Sequence, residues 1–305
     1  MLTSLSASDA NFLRGIDKIK ARMERAQLEV ASGKRIFSAS DEPDGISALL
    51  STRAELEANE QIRNNLGRTK AEVDAAEGGL QQSIKVLERA RVLATQAQNS
   101  FNQDSTWNAL ALESADLTQQ MLNVSNIAVE GRYIFAGNSD LSQPFDYDAG
   151  LASVTAYAGG PATRKSLFPG GNPFDIARAG QDIFDNAGLD AAGISKSVFA
   201  ALRDLKNALE AKDTVALKSA MLAVESSTKH IAGELSFYGA AQRRVYEATA
   251  ATGSTDLRLQ TELKRLEDAD ISSSILSMQQ GQFQQESAFR IRAQLPRKSL
   301  FDYLG

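Results

Sequence analysis

Cysteine is absent from all 305 residues, so the chain can form neither a disulfide nor a thiolate zinc site. A single histidine, His230, excludes a multi-histidine metal centre. There are only six prolines, and aromatic residues make up 7% of the chain. With 43% hydrophobic and 23% charged residues the composition is that of a folded, mostly helical protein. No run of 18 apolar residues occurs, which excludes a transmembrane helix, so no membrane insertion is expected. Basic clusters are missing too. The net charge is −5 and no Lys/Arg run exceeds two residues, as at Arg243–Arg244, so nucleic acid is not an expected partner. The start "MLTSLSASDANFLRG" has no basic stretch followed by an apolar core, so a cleaved secretory signal is not expected. These absences suit an ordinary cytosolic protein, or one exported by a route that cleaves no signal.

What the chain does have is a seven-residue rhythm. Phe12, Ile16, Ile19, Met23, Ala26 and Val30 follow one another in alternating steps of four and three, the pattern of a helix that packs lengthwise on another. Gly33 supplies a stop, and "RIFSASDEPDGIS" reads as a loop in which Ser40 or Asp44 caps the next helix. The rhythm then runs from Ile62 through Leu66, Thr69, Val73, Ala76 and Leu80, predicting one helix to about Ser100 despite Gly78–Gly79. A shorter helix follows Asp104, with Leu110, Leu117, Met121, Val124 and Ala128 on one face. Near the other end, Val198, Leu202, Leu205 and Leu209 predict a short helix. A very long one follows from Thr214, with Val224, Ile231, Tyr238 and Val245 in phase and a break predicted at Thr252–Asp256. Ile271, Ile275, Met278, Phe283 and Phe289 mark the last helix, which stops before Pro296.

Between the helical halves the character changes. "GRYIFAG" at Gly131–Gly137 ends the helical phase, and "RYIFA", "SVTAYA" and "DIF" read as short strands between turn-rich stretches. Gly131 is the residue expected to turn the chain out of the helix, with Tyr133 and Phe135 on one face of the new strand and Ile134 on the other. The fold class is therefore mainly α: an elongated coiled-coil rod made by the N- and C-terminal segments, with a small β-rich inserted domain. The expected divisions are 1–42 and 43–130 for the N-terminal rod, 131–196 for the insert, and 197–253 and 254–305 for the C-terminal rod.

No catalytic constellation stands out. His230 reads as a surface or seam-edge residue, and Trp107 as packing. "GGPATRKS" lacks the glycine that a phosphate loop places before its lysine, and the carboxylates of "LEDAD" have the spacing of a solvated helix face. No cofactor and no metal site are expected. The terminal seams are long and apolar, and each buried Leu, Ile or Phe contributes about 1.5–3 kcal/mol. They read as unfinished surfaces of an assembly subunit rather than as an enzyme. A ligand-binding protein with a helical stalk would instead need a pocket within 132–196.

Four segments together resemble the flagellin family. They are "ASGKRIFSASDEPDGISALL" (Ala31–Leu50), "GRYIFAGNSDLSQPF" (Gly131–Phe145), "LEDADISSSILSMQQGQFQQESAF" (Leu266–Phe289) and "KSLFDYLG" (Lys298–Gly305). The last three resemble the branch of the family that sits between hook and filament. Glu42 stands where the family often has a second Asp, and Phe301 where it has leucine. The resemblance implies an extracellular structural subunit of the bacterial flagellum, without enzyme activity, exported by the flagellar type III apparatus. It implies assembly into a homo-oligomeric ring, with another hook-associated protein on the hook side, flagellin on the filament side and an export chaperone before assembly. The inter-subunit seam would be Phe12, Ile16, Ile19, Met23 and Val30 with Ile271, Ile275, Met278, Phe283, Phe289, Leu300, Phe301 and Leu304. Gly131, Tyr133, Phe135 and Gly137 would mark the passage from rod to insert. The alternative within the family is flagellin, the filament subunit itself.

Overall fold

A computed structural model describes residues 7–38, 41–99, 104–148, 153–161 and 163–294. In chain order the elements are α1 (Ala7–Ser32), α2 (Pro43–Asn99), α3 (Asp104–Ser125), β1 (Ala128–Val129), β2 (Arg132–Tyr133), β3 (Tyr147–Asp148), β4 (Ser153–Val154), β5 (Lys165–Leu167), β6 (Pro173–Asp175), α4 (Gly180–Phe184), α5 (Val198–Ala211), α6 (Thr214–Glu267) and α7 (Ile271–Gln294). The chain divides into two compact units, Met1–Glu57 with Asp256–Gly305, and Ala58–Thr255. The architecture is mainly α, with a small strand-containing insert between the helical halves.

In the first unit α1 and α7 pack antiparallel. Phe12 meets Phe289 edge-on at 6.0 Å between ring centres, and the Ser274 hydroxyl donates to the Glu29 carboxylate at 2.7 Å. The turn between α1 and α2 begins at Gly33, whose φ of +73° is the left-handed conformation glycine tolerates best. Proline opens α2, where its missing N–H costs nothing. The Glu42 backbone carbonyl accepts the N–H groups of Gly45 and Ile46 at 3.1 Å each; Asp44 lies inside the first turn rather than before it, and Ser40 lies outside the described residues.

In the second unit the seven-residue phase of α2 and α6 forms the core, with Leu66, Val73 and Leu80 on one helix and Val224, Ile231, Tyr238 and Val245 on the other all buried. The helices run antiparallel, as contacts from Asn59 to Thr252 and from Gln242 to Asp74 require. α3 and α5 close the other side of this core. Gly79 belongs to the design: a Cβ there would lie 2.8 Å from Ile127 Cδ1 and 3.3 Å from Val124 Cγ1, so its bareness admits the end of α3.

Three expectations need correction. α6 does not break at Thr252–Asp256. The Thr252 and Ser254 hydroxyls donate to the carbonyls of Ala248 and Ala250 (2.7 and 3.2 Å), so these turn-formers are satisfied inside the helix. Thr252 is fully buried and continues the phase from Val245 to Leu259. The break falls instead at Asp268–Asp270, where the Asp270 carboxylate accepts the Ser273 N–H at 3.1 Å and starts α7. Second, Gly131 does not terminate α3, which ends at Ser125. Glu130 and Gly131 (φ +50° and +78°) form the two-residue loop of a hairpin pairing Val129 with Arg132 and Ala128 with Tyr133. Ala128, expected on the helix face, is in that hairpin. Third, the strand of "RYIFA" is only Arg132–Tyr133; Ile134, Phe135 and Ala136 turn inward and are all buried. "DIF" is helical, within α4, because Ile183 and Phe184 both enter the core at consecutive positions. The insert's strands form three separate antiparallel pairs, β1–β2, β3–β4 and β5–β6.

Candidate assembly surfaces

The first surface is α7. Its face toward α1 carries small and polar residues. Ser274 and Gly281 are buried and Ala288 half-buried, spaced seven apart in one column. Met23 of α1 lies over Gly281, where any Cβ would collide with its side chain. On α1, Ile16 is 7% exposed, and Phe12, Ile19, Met23 and Val30 are half-buried. The predicted α1 seam is therefore occupied by a helix that offers it little apolar surface in return.

Apart from Phe289, which meets Phe12, the large apolar residues of α7 point elsewhere. Helical spacing puts Ile271, Ile275 and Phe289, with half-buried Met278, on one flank. Leu276 and Phe283 lie on the back of the same helix. Phe283 is 72% exposed, and Leu276 and Phe289 are exposed as well. Phe283 thus does not join the seam within the chain, whereas Ile271 and Ile275, 39% and 38% exposed, are largely covered. The signal that could have located the inner face was present as the seven-residue column of small residues, which an apolar search passes over. Leu300, Phe301 and Leu304 lie outside the described residues.

Below this helix pair, the loop "SGKRI" grips the turn between α6 and α7. Lys34 pairs with the Glu267 carboxylate, and Arg53 reaches its other oxygen at 2.9 Å. The Arg35 N–H donates to the Glu267 carbonyl at 2.7 Å, and its guanidinium donates to the Leu266 carbonyl at 3.1 Å and pairs with Glu42 at 2.9 Å. The Ala269 N–H closes back on the Gly33 carbonyl at 2.9 Å. Burial alone would raise the Glu267 pKa, but the hydrogen bonds and charges of Lys34 and Arg53 win and hold it below the ordinary value. The Asp41 carboxyl is also lowered, by the N–H groups of Ser38 and Phe37, which it accepts at 2.7 and 2.9 Å.

The second surface is the passage into the insert, where the structure brings "GRYIFAG" together around one side chain. Tyr133 is half-buried, and its N–H donates to the Asp140 carbonyl at 2.8 Å. Gly137 has a φ of +62°. Phe135 is completely buried, 5.1 Å from the Phe184 ring and 6.3 Å from the Tyr238 ring of α6, both edge-on. Its carbonyl accepts the Gly180 N–H at 2.7 Å and the Tyr157 hydroxyl at 3.0 Å. Arg164 fastens the same region to α2, pairing with Glu72 at 3.0 Å and donating to the Ile134 carbonyl at 3.1 Å. On α6, the buried Tyr238 hydroxyl accepts the Arg178 N–H at 3.1 Å, and the His230 Nε2 lies 2.7 Å from the Asp182 carbonyl. These groups act as fasteners between insert and helices. Among the described residues no three His, Asp or Glu side chains are placed to hold a metal ion.

Comparison with known proteins agrees with this layout. The bacterial flagellin N-terminal helical region matches residues 4–140, and the C-terminal helical region matches residues 221–304. Flagellar hook-associated protein 3 of Escherichia coli is 29% identical over 178 residues, 57% of this chain and 54% of that protein. The match thus spans about half the length of that relative. Flagellin of Bacillus subtilis is 24% identical over 281 residues, covering 87% of this chain and 86% of the relative. Among solved structures, FlgL of Bacillus cereus superposes with a TM-score of 0.57 at 22% identity, covering 70% of this chain and 99% of that one. The two family regions together take in most of the chain and leave the strand-bearing middle largely between them. The chain belongs to the bacterial flagellin family.

Proposed function

We propose that this protein is a structural subunit of the bacterial flagellum that joins the hook side to the filament side. The observation that carries the reading is the α7 helix. Its small-residue face and Phe289 meet α1, yet Leu276 and Phe283 on its back stay exposed. A helix apolar on several sides is stable in water only among several neighbours. Further copies of the chain, in a ring, supply neighbours of the right kind. On this reading Ile271, Ile275, Met278, Phe283 and Phe289 carry contacts between subunits, with Leu300, Phe301 and Leu304 continuing them. The α1 residues Phe12, Ile16, Ile19, Met23 and Val30 hold α7 in place. The neighbours above and below are flagellin and another hook-associated protein, and an export chaperone shields the apolar helix before assembly. The protein acts by contact rather than catalysis, outside the cell, after export without signal cleavage.

The similarity to a hook-associated protein 3 supports the junction role, as does the wording of Gly131–Phe145. The second reading, flagellin itself, is favoured by the longer alignment with the Bacillus subtilis protein. Seeding separates them. Purified protein added to hook-bearing basal structures should form a short ring and stop. Growth of long filaments from the same seeds would assign the chain to flagellin, and failure to add at all would remove both readings.

A further inference from the structure

We infer that the back of α7 docks on the back of α1 in a second copy of this chain, with Phe283 seated over Ala21 and Leu276 over Leu28. Helical spacing puts Leu276 and Phe283, seven residues apart, on the side of α7 away from its small-residue column. It puts Ala21 and Leu28, also seven apart, on the side of α1 away from Ile16, Ile19 and Met23. All four are exposed. Beside Leu28 the loop after α1 adds a second wall, where exposed Phe37 stands. Ala21, Arg25, Leu28, Phe37 and Asp41 line an open groove of about 600 Å³. That wall is built in place: the Asp41 carboxylate accepts the N–H groups of Phe37 and Ser38 at 2.9 and 2.7 Å and pairs with Arg25 at 3.8 Å.

Height identifies the occupant. Gly281 faces Met23, and the two helices run antiparallel with equal rise, so Phe283 stands level with Ala21 and Leu276 level with Leu28. The bond from Ser274 to Glu29 keeps the same correspondence. A copy set beside the first, with no displacement along the helices, therefore brings a large side chain onto a small one and leucine onto leucine. Beyond Phe283 both backs end in charges of either sign, Glu286 and Arg290 on α7 and Arg14 and Asp17 on α1, so ion pairs across the contact are available. Knob and groove lie on opposite sides of one helix pair, so a chain cannot fill its own groove with its own Phe283. The contact is head-to-tail, and it repeats from copy to copy until it closes as a ring or runs on as a helix. A two-fold dimer would instead set Phe283 against Phe283 and leave the Leu28 groove empty. The inference rests on the reading of this chain as an assembly subunit and names what the exposed back of α7 meets there.

The absence of cysteine makes the test clean. Full-length Leu28→Cys/Leu276→Cys, assembled on hook-bearing basal structures and oxidised, should give a ladder of disulfide-linked oligomers on a non-reducing gel, because each chain links to a neighbour on both sides. Leu28→Cys alone and Leu276→Cys alone should give no ladder and no dimer. A second pair avoids cysteine. Phe283→Glu and Ala21→Lys alter only exposed positions, so each should leave thermal unfolding of the free chain unchanged while raising the concentration needed for assembly about tenfold. Together they should need no more than either alone, whereas independent sites would multiply to about a hundredfold. A ring that forms without a ladder would overturn the inference, as would dimers from either single cysteine variant, or multiplied effects in Phe283→Glu/Ala21→Lys. If the cysteine pair does not assemble, the charged pair decides alone. Wild-type protein that fails to add to the same seeds removes the subunit reading and this inference with it, whereas wild-type rings that lack the ladder and the rescue remove only this inference.

Discussion

Replacing Phe283 and Ile16 by alanine, one at a time, separates stability from assembly. Ile16 is 7% exposed beneath α7, and truncating a buried isoleucine costs about 2–5 kcal/mol. Phe283 is 72% exposed, so its removal should change the stability of the isolated chain by no more than about 0.5 kcal/mol. The gain in helix propensity from Phe to Ala acts in the stabilising direction. Assembly reverses the ranking. A fully buried phenylalanine contributes about 1.5–3 kcal/mol, and most of that area is still available for burial. About 1–2 kcal/mol per subunit should therefore be lost from the assembled state. At 1.4 kcal/mol per tenfold, the concentration needed for assembly rises about 5- to 30-fold. Thermal unfolding followed by circular dichroism reads the first quantity, and sedimentation of seeded assemblies reads the second. The reasoning is refuted if Phe283→Ala lowers the melting temperature as much as Ile16→Ala does, or if it leaves the assembly concentration where it was.

Other predictions concern the interior. Phe135→Ala should cost about 3–5 kcal/mol and flatten the near-ultraviolet dichroism, because the ring touches both Phe184 and Tyr238; a melting temperature equal to wild type would exclude Phe135 as the anchor of the insert. Gly180→Ala places a Cβ 2.9 Å from the Phe135 carbonyl oxygen and 3.0 Å from a Phe145 ring carbon, so it should destabilise by about 1–3 kcal/mol, readable as faster hydrogen exchange at Tyr157 and Gly160. Asn59→Leu should raise the melting temperature, since this buried amide makes one bond, to the Thr252 carbonyl at 3.1 Å, and leaves its own oxygen unpaired. The pH dependence should split. Glu267 and Asp41 have pKa values lowered by folding, so their stabilisation is complete above the ordinary carboxylate range and lost as pH falls through their folded values, below 4.5 and 3.8. Burial raises Glu72 and Glu234, so their ionised forms cost stability near neutrality, and that cost is relieved as pH falls. Exchange of amides around Gly33–Arg35 should accelerate in acid before that around Arg164, and the opposite order would contradict these assignments.

Much of the fold was legible because its helices obey a period that sequence displays directly. The run from Ile62 to Leu80 and the phase from Val224 to Val245 place buried residues in α2 and α6 without any tertiary information. The α1 seam and the short α5 were legible for the same reason. Local chemistry misled where tertiary burial overrode it. Thr252, Gly253 and Ser254 have the composition of a turn, but a carbonyl four residues back satisfies each hydroxyl and the core absorbs Thr252. "DIF" has the composition of a strand, but two adjacent side chains must enter one core, which a strand's alternation forbids and a helical turn allows.

By itself, then, the sequence determined where most of the long helices run and that Gly33 ends the first, because these depend on neighbours along the chain, whereas the unbroken α6, the helix α4 and the hairpin at Gly131 were decided by tertiary packing. Only tertiary structure decided which stripe is used within the chain and which is left for others. α1 meets the small residues of α7, and Phe283 stays outside, because close approach over Gly281 and the salt bridges to Glu267 select that face. Such a choice rests on packing and charge between residues more than 200 positions apart, and no local period encodes it.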